Sequence, residues 1–234
     1  MDDIQILSEE IFCFSEPDYK IHKNILKLNC SAAEDNHSDL NLVKEICSKF
    51  DRKINCLDLG CAGGALILDL NEYKATDICI GLDGSDGVYK HNSWNIEKNK
   101  KVLRHTNLIK DFSVLNKSSL VKFEVISCFE VIEHFDISQL DVFFKNVNKH
   151  LSEDGFFFGS IALFPDIRDS NGFHQKHPSY NKSLEQYILH KTVLDSKEEW
   201  NKILKNYFVV SEYDFSIKLR NHSNSYYFKC LKKK

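Results

Sequence analysis

Along the chain, short unbroken apolar runs alternate with stretches in which apolar residues recur every three or four positions. The second pattern starts at Ser38, with Leu42, Val43, Ile46 and Phe50 on one face, and predicts a helix. Ile54–Leu59 is the first clear apolar run. It reads as a buried strand, broken by Gly60-Cys61-Ala62-Gly63-Gly64, after which Ala65–Leu70 restarts a helix. Ile78–Leu82 is a second buried strand that stops at Asp83-Gly84; a helix over Val88–Glu97 and a weaker third strand near Val102–Thr106 follow. Phe123–Cys128 is apolar enough for a strand covered on both faces. A helix over Ile137–Leu151 buries Leu140, Phe143, Phe144 and Val147, and the turn Ser152-Glu153-Asp154-Gly155 introduces a fifth strand, Gly155–Leu163. Residues 164–182 read as loop, Ser196–Lys205 as helix, and Phe208–Phe215 and Ser225–Leu231 as two closing strands. Residues 1–37 read as irregular, with one strand candidate at Ile11–Phe14.

Strands alternating with helices, and then two strands in succession, predict an α/β fold whose parallel sheet ends in an antiparallel edge. The organisation expected is one domain over 38–234, an N-terminal segment 1–37 serving as a lid, and a substrate-covering insert at about 164–190. Composition leaves this picture unchanged. With 42% hydrophobic and 28% charged residues the chain is an ordinary globule, and 17 phenylalanines promise a well-filled core. No apolar run approaches the ~20 residues of a membrane helix, so no membrane partner is expected. The start, Met1-Asp2-Asp3-Ile4, is acidic where a secretory signal would be basic. A net charge of −3 argues against a nucleic-acid partner. None of the eight cysteines forms a Cys-x-x-Cys pair, which removes zinc-ribbon and thioredoxin chemistry; all eight are expected reduced, in a cytoplasmic protein.

The chemistry starts at the glycine-rich turn. A buried strand, a turn and a helix place backbone beside a ligand at the carboxyl end of the sheet, and glycine there keeps a Cβ out of the way. The dinucleotide pattern Gly-x-Gly-x-x-Gly needs glycine at 62 and 65, where Ala62 and Ala65 stand, so a nicotinamide dehydrogenase is disfavoured. Asp83 ends the second strand, 23 positions after Gly60, where a carboxylate can accept both hydroxyls of a ribose. A strand running into Glu130-Val131-Ile132-Glu133-His134 adds a third cluster, in which helical spacing would put Glu130, Glu133 and His134 on one face.

Asp58, Gly60 and Gly64 resemble the first motif of class I S-adenosylmethionine-dependent methyltransferases, Asp-x-Gly-x-Gly-x-Gly, with Ala62 in place of the middle glycine. The run Phe123–Phe135 resembles the family's fourth-strand motif, Glu-Val-x-Glu-His, and the resemblance spans about residues 54–163. It implies a Rossmann-like, doubly wound, mostly parallel seven-stranded sheet with an antiparallel C-terminal edge strand. It also implies S-adenosyl-L-methionine as cofactor, with S-adenosyl-L-homocysteine as product. The residues implied to bind the cofactor are Asp58, Gly60, Cys61, Ala62, Gly64, Asp83, Gly84, Cys128, Phe129 and Glu130. The adenine amino group falls to Asp111 or, in its place, Asn107.

Histidines supply the candidate catalytic groups: His134 in the fourth motif, His174 and His177 in the loop after the fifth strand, and His190 before the next helix. Each also reads as an ordinary polar residue. Some methyltransferases with a Glu-x-x-Glu-His pattern use a divalent ion, and a fourth ligand would then come from His190, His174 or His177; no metal is assigned on the sequence alone. No Asn/Asp-Pro-Pro-aromatic motif and no Pro-Cys pair occurs, which argues against exocyclic amino groups and cytosine C5. By elimination the expected acceptor is oxygen on a sugar or another small metabolite. A non-catalytic cofactor-binding regulator and a metal-dependent RNA 2′-O-methyltransferase are the alternatives, and the sequence says nothing of oligomeric state.

Overall fold

The computed structural model describes residues 4–8, 38–61, 64–73, 75–84, 101–165, 167–169, 180–181, 183–184, 186–188, 190–194, 196–215 and 224–234. Its centre is a seven-stranded sheet. The parallel strands are β2 (Ile54–Leu59), β3 (Thr76–Asp83), β4 (Leu103–His105), β7 (Phe123–Phe129) and β8 (Leu151–Ala162). Two further strands, β12 (Phe208–Ser211) and β13 (Ser225–Lys232), complete it in the order β12-β13-β8-β7-β2-β3-β4. This is the mostly parallel α/β sheet expected from the alternation of elements. The antiparallel strand is the last in the chain, β13, which slots between β8 and β12 at that end of the sheet.

Among the described residues four helices cover the sheet: α1 (Ser38–Ser48), α2 (Ala65–Glu72), α3 (Leu140–His150) and α4 (Lys197–Tyr207). On one face α1 and α2 bury Leu42, Val43, Ile46 and Ile67 against Cys56, Val125, Phe156 and Phe158. On the other, α3 and α4 bury Leu140, Phe143, Phe144, Trp200 and Leu204 against Leu57, Ile126 and Phe157. Each of these large apolar side chains contributes about 1.5–3 kcal/mol on leaving water. Because neighbours along a strand point to opposite faces, the unbroken run Phe156-Phe157-Phe158 feeds both layers at once. The start of α4 is set locally, the Ser196 hydroxyl accepting from the Glu199 backbone N–H at 3.3 Å.

Several boundaries differ from expectation. The helix drawn from Ile137 begins as a 3-10 turn over Ile137–Gln139 and becomes α-helical only at Leu140. The fifth strand starts at Leu151, four residues early, with a shift in register against β7 between Phe123 and Val125. The strand expected over Phe208–Phe215 ends at Ser211, after which Phe215 turns back to pack on Phe156 and Phe158. Within the segment read as irregular, β1 (Ile4–Leu7) pairs with β5 (Ser113–Asn116), which also pairs with β6 (Ser119–Leu120). Only Ile4 and Ile6 of β1 are buried, a signal of two residues and too short to stand out in the sequence. The region read as loop holds β9 (Ile167–Asp169) and β10 (Tyr180–Asn181), which join β11 (Gln186–Ile188) in a small antiparallel sheet. The strand candidate at Ile11–Phe14 and the helix over Val88–Glu97 lie outside the described residues. Cys47, Cys56, Cys61, Cys79, Cys128 and Cys230 are free thiols. No described helix is long and apolar enough to cross a membrane.

Candidate active site

The carboxyl ends of β2 and β3 meet at the glycine turn. Gly60 and Gly64 both adopt φ of 75°, the left-handed region that only glycine enters freely. The Gly60 and Cys61 backbone N–H groups donate to the Leu82 carbonyl at 2.7 and 3.2 Å, which seats the turn directly beside Asp83. A Cβ at Gly60 would lie 2.2 Å from Cγ2 of Val131, so the loops after β2 and β7 touch through this hydrogen-only position. Gly64 opens α2, its carbonyl accepting from Leu68 N–H at 2.9 Å. Asp83, half-buried, ends β3, with Gly84 beyond it.

Asp58 lies under the turn. It is 6% exposed and accepts from the Ser127 hydroxyl at 2.7 Å, a bond that ties β2 to β7. Burial, reinforced by the neighbouring Asp83 and Asp58 carboxylates, pushes the Cys61 thiol well up, and burial does the same for Cys128 beside Asp58 and Glu133. Both thiols are held in the protonated form and pack as small apolar groups among core residues.

At the end of β7, Phe129 packs edge-on against Phe158 at 5.4 Å between ring centres, and Glu130 follows with φ of 53°. A side-chain-bearing residue held there costs on the order of 1 kcal/mol or more, and the surroundings fix it. Its N–H donates to the Ser160 carbonyl at 2.8 Å, and its carboxylate accepts from the Ser225 hydroxyl at 3.2 Å. That kink corrects one expectation: Glu130 does not share a helical face with Glu133 and His134. Only Ile132–His134 forms a turn, of 3-10 type, and Glu130 stands outside it.

Glu133 is fully buried, its carboxylate accepting from Ala162 N–H at 3.0 Å. Its carbonyl accepts from the N–H groups of Lys191 and Thr192 at 2.8 and 3.0 Å, and the Thr192 hydroxyl donates to the Phe135 carbonyl at 2.6 Å. Those bonds clamp residues 190–192 onto the turn and bring His190 against His134, ring centres 4.9 Å apart and nearly perpendicular. Nδ1 of His190 lies 2.6 Å from the Phe164 carbonyl and donates to it, so in the neutral ring Nε2 is the acceptor. The ligand atoms of Glu133, His134 and His190 all fall within 4.8 Å of one another.

The fold thus collects Asp58, Gly60, Cys61, Gly64, Asp83 and Gly84 at one end of the site, and Cys128, Phe129, Glu130, His134 and His190 at the other. Ala62, His174 and His177 lie outside the described residues. Asp111 falls elsewhere: its side chain is 85% exposed and ion-paired with Lys149 near the C-terminal end of α3. Buried beside Asp83 are His105, its partner across the sheet with Nδ1 3.1 Å from the Asp83 carbonyl, and Thr106, whose N–H donates to that carbonyl at 3.0 Å; Asn107, 2% exposed, follows them in the chain.

Residues 34–207 match the model of a family described as a methyltransferase domain. The chain belongs to that family. In the turn the two left-handed glycines lie directly against the side chains of Val131 and Leu103, and a carboxylate, Asp83, follows one strand over. The methyltransferase is 32% identical over 133 residues to a sphingolipid C9-methyltransferase of Komagataella phaffii, which covers 52% of this chain and 26% of that protein. The chain therefore spans about a quarter of the length of this relative. Its fold is shared with a TehB-like methyltransferase of Corynebacterium glutamicum, at TM-score 0.58 and 14% identity over 93% of this chain and 100% of the other. An S-adenosylmethionine-dependent methyltransferase of Clostridium acetobutylicum gives TM-score 0.57 and 17% identity, covering 92% of this chain and 100% of the other.

Proposed function

We propose that the methyltransferase acts on a small molecule and methylates it on oxygen, on a sugar or a related metabolite. The observation that carries this reading is the histidine pair at the end of β7, with His190 Nε2 left as an acceptor by the bond from Nδ1 to Phe164. When bound, S-adenosylmethionine supplies an electrophilic methyl group on a sulfonium. The protein's part is to align an acceptor, keep water out and take up one proton. An alcohol must lose that proton as it is methylated; His190 receives it at Nε2, and His134 holds the ring in place from its edge. Asp83 binds the ribose hydroxyls, Gly60 and Gly64 admit the cofactor against the backbone, and Phe129 and Glu130 line its methionine end. Asn107 replaces Asp111 as the group nearest the adenine.

The test is a mass-spectrometric product screen with hydroxylated acceptors, chelator present throughout. His190→Ala should lower kcat about a hundredfold while S-adenosylhomocysteine binds within twofold of the parent. Full activity in both His190→Ala and His134→Ala variants would remove the histidine base. Turnover abolished by chelation and restored by magnesium or manganese would instead assign Glu133, His134 and His190 to a divalent cation. A second reading, a lipid acceptor, is favoured by the identity to the sphingolipid C9-methyltransferase; ceramide methylated in the same screen, with no sugar product, would establish it.

A further inference from the structure

One buried polar group has no place in the scheme above. Ser160 lies near the carboxyl end of β8 and is 1% exposed, and its hydroxyl has no hydrogen-bond partner among the described residues. An unpaired buried hydroxyl costs about 1–3 kcal/mol, and alanine would fill the position without that cost. The register of the sheet shows what surrounds it. Ser160 stands opposite Phe129 of β7 on one side and opposite Tyr227 of β13 on the other, so the three side chains share one face of the sheet. Phe158, two residues back on that face, packs edge-on against Phe129, and Tyr213 lies 5.3 Å from Tyr227 between ring centres. Phe129, Tyr213 and Tyr227 are only half-buried. Ser160 is therefore a buried, unpaired hydroxyl at the base of an aromatic row that is partly open.

The order of strands decides which ligand faces this row. Asp83 belongs to β3 and Gly60 follows β2, which puts the cofactor's ribose over those two strands; β7 comes next, then β8 and β13. Strands are spaced about 4.8 Å apart, so Ser160 lies one spacing past Phe129, the wall of the methionine end. Glu133 accepts from Ala162 N–H, which seats the histidine pair just beyond Ser160 on the same strand end.

We propose that Ser160 is the acceptor-anchoring residue of this methyltransferase: its hydroxyl hydrogen-bonds an oxygen substituent of a ring-shaped acceptor that stacks along Phe129 and Tyr227. Both phenols and sugars offer that chemistry, a ring face for the aromatics and an oxygen for the serine. The inference rests on the oxygen-acceptor reading and goes beyond it in naming where the acceptor sits and what holds it.

The experiment compares Ser160→Ala, Ser160→Thr and the parent in three measurements. These are the melting temperature, S-adenosylhomocysteine affinity by calorimetry, and methyl transfer from labelled S-adenosylmethionine to a panel of phenols and sugar nucleotides. Ser160→Ala should melt at or above the parent's temperature, since it removes an unpaired hydroxyl. It should bind S-adenosylhomocysteine within twofold of the parent, yet raise KM for the methylated acceptor at least tenfold. Ser160→Thr, which keeps a hydroxyl, should recover part of that loss. Product confined to phenols or to sugar nucleotides tells the two acceptor chemistries apart, and either is consistent with the proposal. An unchanged KM in Ser160→Ala, or a loss of S-adenosylhomocysteine binding equal to the loss in KM, overturns the Ser160 assignment while leaving the oxygen acceptor in place. No product from the parent on any panel member, despite cofactor binding, overturns the oxygen-acceptor reading and the anchor with it.

Discussion

The two ends of the site are built on different principles. The proposed cofactor end is made by contiguous chain: β2, the turn at Gly60, the start of α2 and the tip of β3, held by backbone hydrogen bonds to Leu82 and by glycine conformations. The proposed acceptor end is assembled from Phe129, His134, Ser160, His190, Ser225 and Tyr227, spread over almost 100 positions and joined by side-chain bonds and sheet register. A backbone site depends on where a Cβ is absent; a side-chain site depends on which distant strands become neighbours. The first should therefore break through shape and the second through chemistry.

The sharpest break is expected at Gly60. Gly60→Val forces a branched side chain into the left-handed region and against Val131, at a cost above about 3 kcal/mol. S-adenosylhomocysteine binding should disappear and the melting temperature should fall; a folded variant that still binds would move the cofactor off this turn.

Next in size is an effect that belongs to neither end. His150, on α3, accepts from Val114 N–H at 3.0 Å and donates to the Asn146 carbonyl at 2.8 Å, both of which require the neutral ring. Burial is the main cause that lowers its pKa from 6.5 to about 4. The unfolded chain takes up this proton first, so the contribution is complete above pH 6.5 and is lost as the pH falls towards 4, about 3 kcal/mol in all. Denaturant titrations at pH 7.5 and 5 should show much of that loss, and His150→Gln should flatten it. An unchanged slope in the variant would place the acid sensitivity elsewhere.

Smaller still is the loss expected at the rim of the cofactor end. Asp83→Ala removes a charged hydrogen-bonding group from the ribose site and should weaken S-adenosylhomocysteine binding by about 1.5–3 kcal/mol without altering the turn. Affinity within twofold of the parent would leave the turn as the sole determinant of that end. The least effect belongs to Asp111→Ala: the exposed pair with Lys149 contributes less than about 1 kcal/mol, and cofactor affinity should not move. A drop of tenfold would return Asp111 to the adenine.

How much of this was legible in the sequence follows the same division. The alternating apolar runs placed all seven strands of the main sheet and α1 to α4, because each depends on a local period. The turn at Gly60 and the carboxylate at Asp83 were legible from their spacing, since a strand–turn–helix unit is local. The strand β1 was not, because its partner β5 is more than 100 positions away and only two of its residues carry the signal. Glu130 was misplaced for a related reason: helical spacing was applied across a position whose left-handed backbone takes it out of the turn.

The sequence by itself determined the fold class, the family and the glycine turn after β2, each of them a matter of local period, glycine position or motif. Only the tertiary structure decided that Asp111 faces away, that His190 is the histidine brought against His134, and that an unpaired Ser160 hydroxyl lies beside Phe129. The physical reason is that these contacts are fixed by strand order and by the clamp of residues 190–192 on the Glu133 carbonyl. Neither leaves a periodic trace in the chain, because the groups that meet are chosen by the packing of elements far apart in sequence.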